Sequence, residues 1–111
     1  MDCIFCKIIK KEIKAAIVYE DENVLAFDDI NPKAPVHILV IPKEHVANVS
    51  KVAKVAKVAE LFAVMQKLAK EKGIDKTGYR IVVNQGKDAG QAVDHLHFHL
   101  LGGRPLKWPP G

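Results

Sequence analysis

Apolar and polar positions along the chain follow two periods, and the change from one to the other marks out its elements. Ile17-Val18-Tyr19-Glu20 and Val24-Leu25-Ala26-Phe27 are short runs rich in β-branched and aromatic residues. Asp21-Glu22-Asn23 separates them, the pattern of two strands joined by a polar turn. Val36-His37-Ile38-Leu39-Val40-Ile41 is almost continuously apolar and stops at Pro42, as a central strand would. From Lys51 to Lys72 the spacing becomes helical. Val55, Val58, Ala59, Phe62, Met65, Leu68 and Ala69 form one stripe, with Lys51, Lys54, Lys57, Lys67 and Lys70 largely outside it. Ser50 is placed to cap this helix and Gly73 to end it. Tyr79 to Asn84 predicts a further strand, and Asp2 predicts the N-cap of a short helix over Cys3 to Ile9. Gly102-Gly103 closes regular structure and leaves an extended tail, residues 104–111, in which Trp108 needs the body of the protein or a second subunit to pack on.

The period-two pattern has its sharpest expression in His95-Leu96-His97-Phe98-His99-Leu100-Leu101. A strand sends successive side chains to opposite faces, so three imidazoles fall on one face and Leu96, Phe98 and Leu100 on the other. A helix would scatter the same histidines around its cylinder. Stacked imidazoles pack poorly and repel when protonated, so the pattern points to chemistry. The loop before it, residues 85–94, contains Gly86 and Gly90, which allow backbone N–H groups to approach an anion. Of the two remaining histidines, His37 opens the central strand and His45 follows it. Cys3 and Cys6 stand at i, i+3, a spacing compatible with metal ligation, with redox chemistry, or with two small buried residues.

Composition narrows the picture. The 111 residues make one domain with a single modest core. The net charge of +4 comes largely from the lysines of the long helical segment, and no aromatic side chains interleave with them as a nucleic-acid surface would require. No apolar run is long enough to cross a bilayer and the N-terminus carries no secretory pattern, so a cytoplasmic protein without a structural disulfide is expected.

The chain resembles the histidine-triad (HIT) superfamily, and within it the Hint branch of purine-nucleotide phosphoramidases. The family motif alternates three histidines with apolar residues, and His95 to Leu101 fits it at every position. The likeness extends to residues 4–9, Ala26 to Pro32, Ala34 to Lys43, Tyr79 to Asn84, and the tail Leu101-Gly102-Gly103-Arg104 with Trp108-Pro109-Pro110-Gly111. It implies an α+β, HIT-like fold: a five-stranded, mainly antiparallel sheet with one long and one short helix. It also implies a homodimer that joins two sheets into one of ten strands, with the tail 102–111 reaching towards the partner subunit.

The resemblance assigns roles. His97 matches the nucleophile that attacks the α-phosphorus and forms a nucleotidyl-histidine, its other ring nitrogen held by a backbone carbonyl. His99 matches the imidazole that contacts the phosphate and assists the leaving group, and His37 a further pocket histidine. Asn84, Gly90 and Gln91 match phosphate-side contacts and Asp29 the carboxylate that holds the ribose hydroxyls. Ile4, Phe5, Ile8, Phe27, Ile30 and Leu39 match apolar walls around the purine, and Trp108 a tail residue near the partner's site. Bacterial relatives bind structural zinc at positions that are here Cys3, Cys6, His45 and His95. The resemblance implies catalysis without a cofactor. The implied ligand is a purine mononucleotide and the implied activity is hydrolysis of nucleoside 5′-phosphoramidates and related nucleotidyl-amine or acyl-nucleotide bonds. Two departures bear on rate: Ala92 stands where relatives place Ser or Thr, and Asp94 where they place an aromatic or aliphatic residue. Ala92 keeps a second reading alive, a nucleotide-binding regulatory module with vestigial hydrolysis. A three-histidine catalytic metal site is disfavoured, because consecutive same-face residues on one flat strand do not converge on one ion.

Overall fold

The computed structural model describes residues 3–111. Five strands form one sheet: β1 (Ile17–Glu20), β2 (Val24–Asp28), β3 (Val36–Pro42), β4 (Tyr79–Val83) and β5 (Phe98–Gly102). Their order is β1-β2-β3-β5-β4, and every neighbouring pair is antiparallel. The β1–β2 turn is tight because one Asp21 carboxylate oxygen accepts from the amides of both Asn23 and Val24, at 2.7 and 2.8 Å. The sheet is covered on both faces. Val24, Ala26, Ile38 and Val40 point to one side with Leu96, Phe98 and Leu100, under the long helix α2 (Ala56–Glu71). Leu25, Phe27, Leu39 and Ile41 point to the other, under the short helix α1 (Ile4–Ile9). A strand buried on both faces must be apolar throughout, which explains the unbroken run of β3.

Two elements differ from what the sequence pattern predicts. The long helix begins at Ala56, not Lys51; a single 3₁₀ turn over Val49–Lys51 precedes it, and Ser50 does not cap it. Instead the Ser50 amide and hydroxyl both reach Gln85 Oε1, and Val52 packs against the core, so tertiary anchoring breaks the helical run. The helix turns Leu61, Val64, Met65, Leu68 and Ala69 inward, while Val55 is 75% exposed and Phe62 41%. The predicted stripe is therefore split between the core and an outward face. Hydrogen-bonded pairing in the histidine segment starts only at Phe98, because the Leu96 amide is drawn off to the Val46 carbonyl at 2.6 Å. The alternation of faces holds all the same.

The sequence pattern did not mark helix α3 (Ile74–Thr77), which follows Gly73. Gly73, in the left-handed region at φ 74°, ends α2 as expected. Asp2, the expected cap of α1, lies outside the described residues; the Cys3 thiol accepts from the Cys6 amide at 3.3 Å and caps that helix. In the tail, the Arg80 guanidinium donates to the Lys107 carbonyl at 3.0 Å and lies 5.8 Å from the centre of the Trp108 ring, which is 79% exposed. Among the described residues no helix is long and apolar enough to cross a membrane.

Candidate active site and metal centre

The face of the sheet under α1 carries the histidines. Pairing sets Leu39 opposite His99 across β3–β5, and Val82 opposite His99 across β4–β5, so His99 is flanked by strands on both sides. His37 lies two residues before Leu39 on the same face. Its Nε2 is 2.9 Å from His99 Nδ1, and its Nδ1 receives the Lys33 amide at 3.0 Å. That second bond decides the protonation pattern. An N–H aimed at His37 Nδ1 requires a lone pair there, so neutral His37 carries its proton on Nε2 and donates it to His99 Nδ1. His99 then carries its own proton on Nε2. Asp29 Oδ2 lies 3.4 Å from His37 Nε2, while Asp29 Oδ1 accepts from the Asn31 amide at 2.8 Å. Burial, reinforced by the neighbouring His97 and His37, pushes His99 down to about 4, and burial also lowers His37. Both rings stay neutral at neutral pH.

His97 has the opposite polarity. Its Nδ1–H donates to the His95 carbonyl at 2.8 Å, which leaves Nε2 as an unprotonated nitrogen. The ring is buried, and the edge-to-face contact with Phe5, centroids 5.2 Å apart, limits its rotation.

His97 and His99 line a cleft of about 730 Å³. Of the residues anticipated from sequence, Ile4, Phe5, Ile8, Phe27, Asp29, Ile30, Leu39, His97 and His99 all border it. Asn84 and His37 border an adjoining cavity of about 400 Å³ that shares Asp29 and His99. Gly90, Gln91 and Trp108 border neither. The Gly90 and Gln91 amides are already bonded to the Lys87 and Gly86 carbonyls, and the Gln91 side chain is spent on Ala47, Val93 and Gly86. Gln91 therefore fastens the 85–94 loop to the segment after β3. Sequence reasoning missed Ile13, Lys14, Ala15 and Ala16, which form the far wall beside β1, and Val93, next to Ala92 on the near wall. The only signal for the first group was a pair of small residues before a strand. Ala92 faces the cleft with a methyl group and no hydrogen-bond donor.

Behind His97 a second cluster gathers Cys3, Cys6, His45 and His95, whose ligand atoms all lie within 4.8 Å of one another. His95 Nδ1 is 3.4 Å from Cys3 Sγ, 3.7 Å from Cys6 Sγ and 3.2 Å from His45 Nδ1; Cys6 Sγ to His45 Nδ1 is 3.3 Å. A tetrahedral ion at ordinary zinc–ligand lengths holds its donors on the order of 3.3–3.8 Å apart. His95 Nε2–H donates to the Pro42 carbonyl at 2.9 Å, which turns the Nδ1 lone pair towards the cluster, the support a ligating histidine needs. Burial lowers His95 and so favours the neutral ring. Both cysteines are free thiols. The residues fit a closed zinc site. The same criterion rejects the other cluster with metal-like spacing, Asp29, His37 and His99. There the remaining nitrogen of His37 receives an N–H, so the proton cannot move off Nε2 to admit an ion.

Residues 10–106 match the HIT domain. The chain is 52% identical to an uncharacterized HIT-like protein of Synechococcus elongatus, covering 99% of this chain and 97% of that one. It is 50% identical to a 14 kDa zinc-binding protein of Zea mays, covering 97% of this chain and 87% of that one. Its structure superposes on a HIT family hydrolase of Legionella pneumophila with a TM-score of 0.96 at 47% identity, covering 99% of this chain and all of that one. A histidine triad nucleotide-binding protein of Candida albicans gives 0.86 at 37% identity, covering 97% and 83%. With the triad, the sheet order and the sequence in agreement, the chain belongs to the HIT family.

Proposed function

We propose that this protein is a purine nucleotide-binding hydrolase that cleaves nucleoside 5′-phosphoramidates and related nucleotidyl-amine or acyl-nucleotide bonds through His97. One observation carries the reading: the His95 carbonyl accepts a hydrogen bond from His97 Nδ1–H at 2.8 Å, so the ring offers an unprotonated Nε2 beside a cleft of nucleoside size. The base would sit among Ile4, Phe5, Ile8, Phe27, Ile30 and Leu39, with Asp29 at the ribose. His97 Nε2 attacks the α-phosphorus, the P–N bond to the leaving amine breaks, and His99 Nε2–H protonates that amine. His99 Nδ1 draws on the His37 Nε2 proton along the 2.9 Å contact, so the missing proton is shared by the two rings until water supplies one. Water then attacks the phosphorus, its proton passes to His99 Nε2 as the shared proton returns to His37 Nε2, the bond to His97 breaks, and a nucleoside 5′-monophosphate leaves. Asn84 would complete the phosphate side. Gly90 and Gln91 would act by holding the loop that carries Ala92.

Zinc held by Cys3, Cys6, His45 and His95 would supply a structural clamp, since four protein donors leave no open position. The cytoplasmic setting we infer would keep both thiols reduced. Within a homodimer, the outward face of α2 with Val55 and Phe62 would be covered and Trp108 would reach the partner's site; Phe62→Glu is expected to yield a monomer by analytical ultracentrifugation.

The test is steady-state hydrolysis of adenosine 5′-phosphoramidate with mass spectrometry of quenched enzyme. Wild type should turn over and carry a nucleotidyl adduct on His97; His97→Asn should do neither. Ala92→Ser should turn over faster, since a donor at a developing oxyanion is worth ~2.7–4 kcal/mol in well-studied sites. Nucleotide binding without turnover in wild type and Ala92→Ser alike would favour the regulatory module, the reading that Ala92 supports.

A further inference from the structure

We propose that Arg104, in the C-terminal tail, is a positioning residue: it fixes the Lys33 backbone and thereby sets which nitrogen carries the proton in His37 and in His99. Its role in turnover rests on the hydrolase reading above, whereas its effect on the two imidazoles follows from geometry alone.

Lys33 is held at both ends. Its amide donates to His37 Nδ1 at 3.0 Å, and its carbonyl receives Arg104 Nη2 at 2.7 Å and Nε at 3.3 Å. These two groups belong to successive peptide planes, so fixing the carbonyl restrains the turn that aims the amide. The guanidinium is itself oriented, because Nη1 donates to the Pro105 carbonyl at 2.9 Å. The tail and the loop are also in close contact. Gly103 sits at φ 94°, and a Cβ there would come within 2.9 Å of Pro35 Cβ. The proton pattern of the site starts from this tether. The Lys33 N–H makes His37 Nδ1 an acceptor, His37 Nε2–H makes His99 Nδ1 an acceptor, and the His99 proton is left on Nε2. Released from Arg104, the Lys33 amide can turn away. His37 is then free to carry its proton on Nδ1 and to offer a lone pair to His99, whose own proton moves from Nε2 to Nδ1. A leaving amine would lose its acid. The planar fork matters here, since an ammonium would reach the carbonyl with one donor and no fixed orientation.

The experiment records imidazole ¹⁵N shifts of zinc-replete wild type, Arg104→Gln, Arg104→Lys and Arg80→Gln at neutral pH, with kcat and KM for adenosine 5′-phosphoramidate. Wild type should show His37 and His99 each as a single Nε2–H tautomer. Arg104→Gln should show tautomer averaging at both rings and a kcat lower by about tenfold, with KM little changed, as expected for misplacing one catalytic group. Arg104→Lys should fall between. Arg80→Gln removes the other tail anchor and should leave both tautomers intact. Single Nε2–H tautomers in Arg104→Gln would overturn the proposal, as would averaging in Arg80→Gln, which would trace the effect to general release of the tail. If wild type fails to hydrolyse the phosphoramidate, the hydrolase reading fails and the ¹⁵N shifts still decide the role of Arg104.

Discussion

At the scale of single residues, the site runs on hydrogen-bond polarity rather than on charge. His97 and His99 are two residues apart and have opposite polarity, because one donates Nδ1–H to a carbonyl and the other accepts at Nδ1 from His37. The same burial predicts an acid-sensitive fold. His99 is held near 4 against an ordinary imidazole value of 6.5, so between these limits the unfolded chain binds a proton that the folded one refuses. Stability is therefore expected to fall as pH drops from about 6.5 towards 4, and to be independent of this group above that window. Urea titrations across the range should show a shallower slope for His99→Asn than for wild type. An equal slope would mean that His99 titrates normally.

At the scale of elements, the close approach of α3 to the end of β5 makes a stringent test of packing. A Cβ on Gly102 would lie 2.8 Å from Ile74 Cδ1 and 3.0 Å from Ile74 Cβ, and Ile74 is buried. Gly102→Ala should destabilise by about 1–3 kcal/mol, the usual cost of overpacking, and pairing it with Ile74→Ala should recover part of the loss. Denaturant midpoints of the two variants decide it. Elements were also where the sequence was most and least legible. The strands could be read because each is short, apolar and bounded by turn residues. The start of α2 could not, because Lys51 to Val55 has helical spacing but is held otherwise by the anchoring of the preceding Ser50 to Gln85 and by the seating of Val52. Leu61 and Phe62 are both apolar, and only the fold determines how deep each lies: Leu61 is buried, whereas Phe62 rests edge-to-face on Phe98 of β5 and stays part-exposed. Most cleft walls were legible through the family likeness. The 13–16 wall was missed because main-chain course, rather than side-chain type, brings it there.

At the scale of the whole molecule, the cluster of Cys3, Cys6, His45 and His95 joins three stretches far apart in sequence: the start of α1, the segment after β3, and the approach to β5. Such a closure stabilises chiefly by restricting the unfolded chain. Under the metal assignment proposed here, Cys6→Ser should lose zinc by elemental analysis. It and the chelator-treated wild type should both melt lower, by roughly 4–8 °C for each kcal/mol lost. A Cys6→Ser protein with full zinc content and an unchanged melting point would remove the cluster from the account. The histidine segment is constrained in a different way. Leu96, Phe98 and Leu100 are locked under α2, and β5 is paired on both sides, so their fit decides where His95, His97 and His99 emerge. The site is thus written in a reading frame of two. Within residues 95–101 many exchanges of one apolar side chain for another leave the message intact, whereas insertion or loss of a single residue would turn histidines into the core and leucines into the cleft. For a lineage carrying this chain, length in that stretch is the protected quantity, more than the identity of any one apolar side chain.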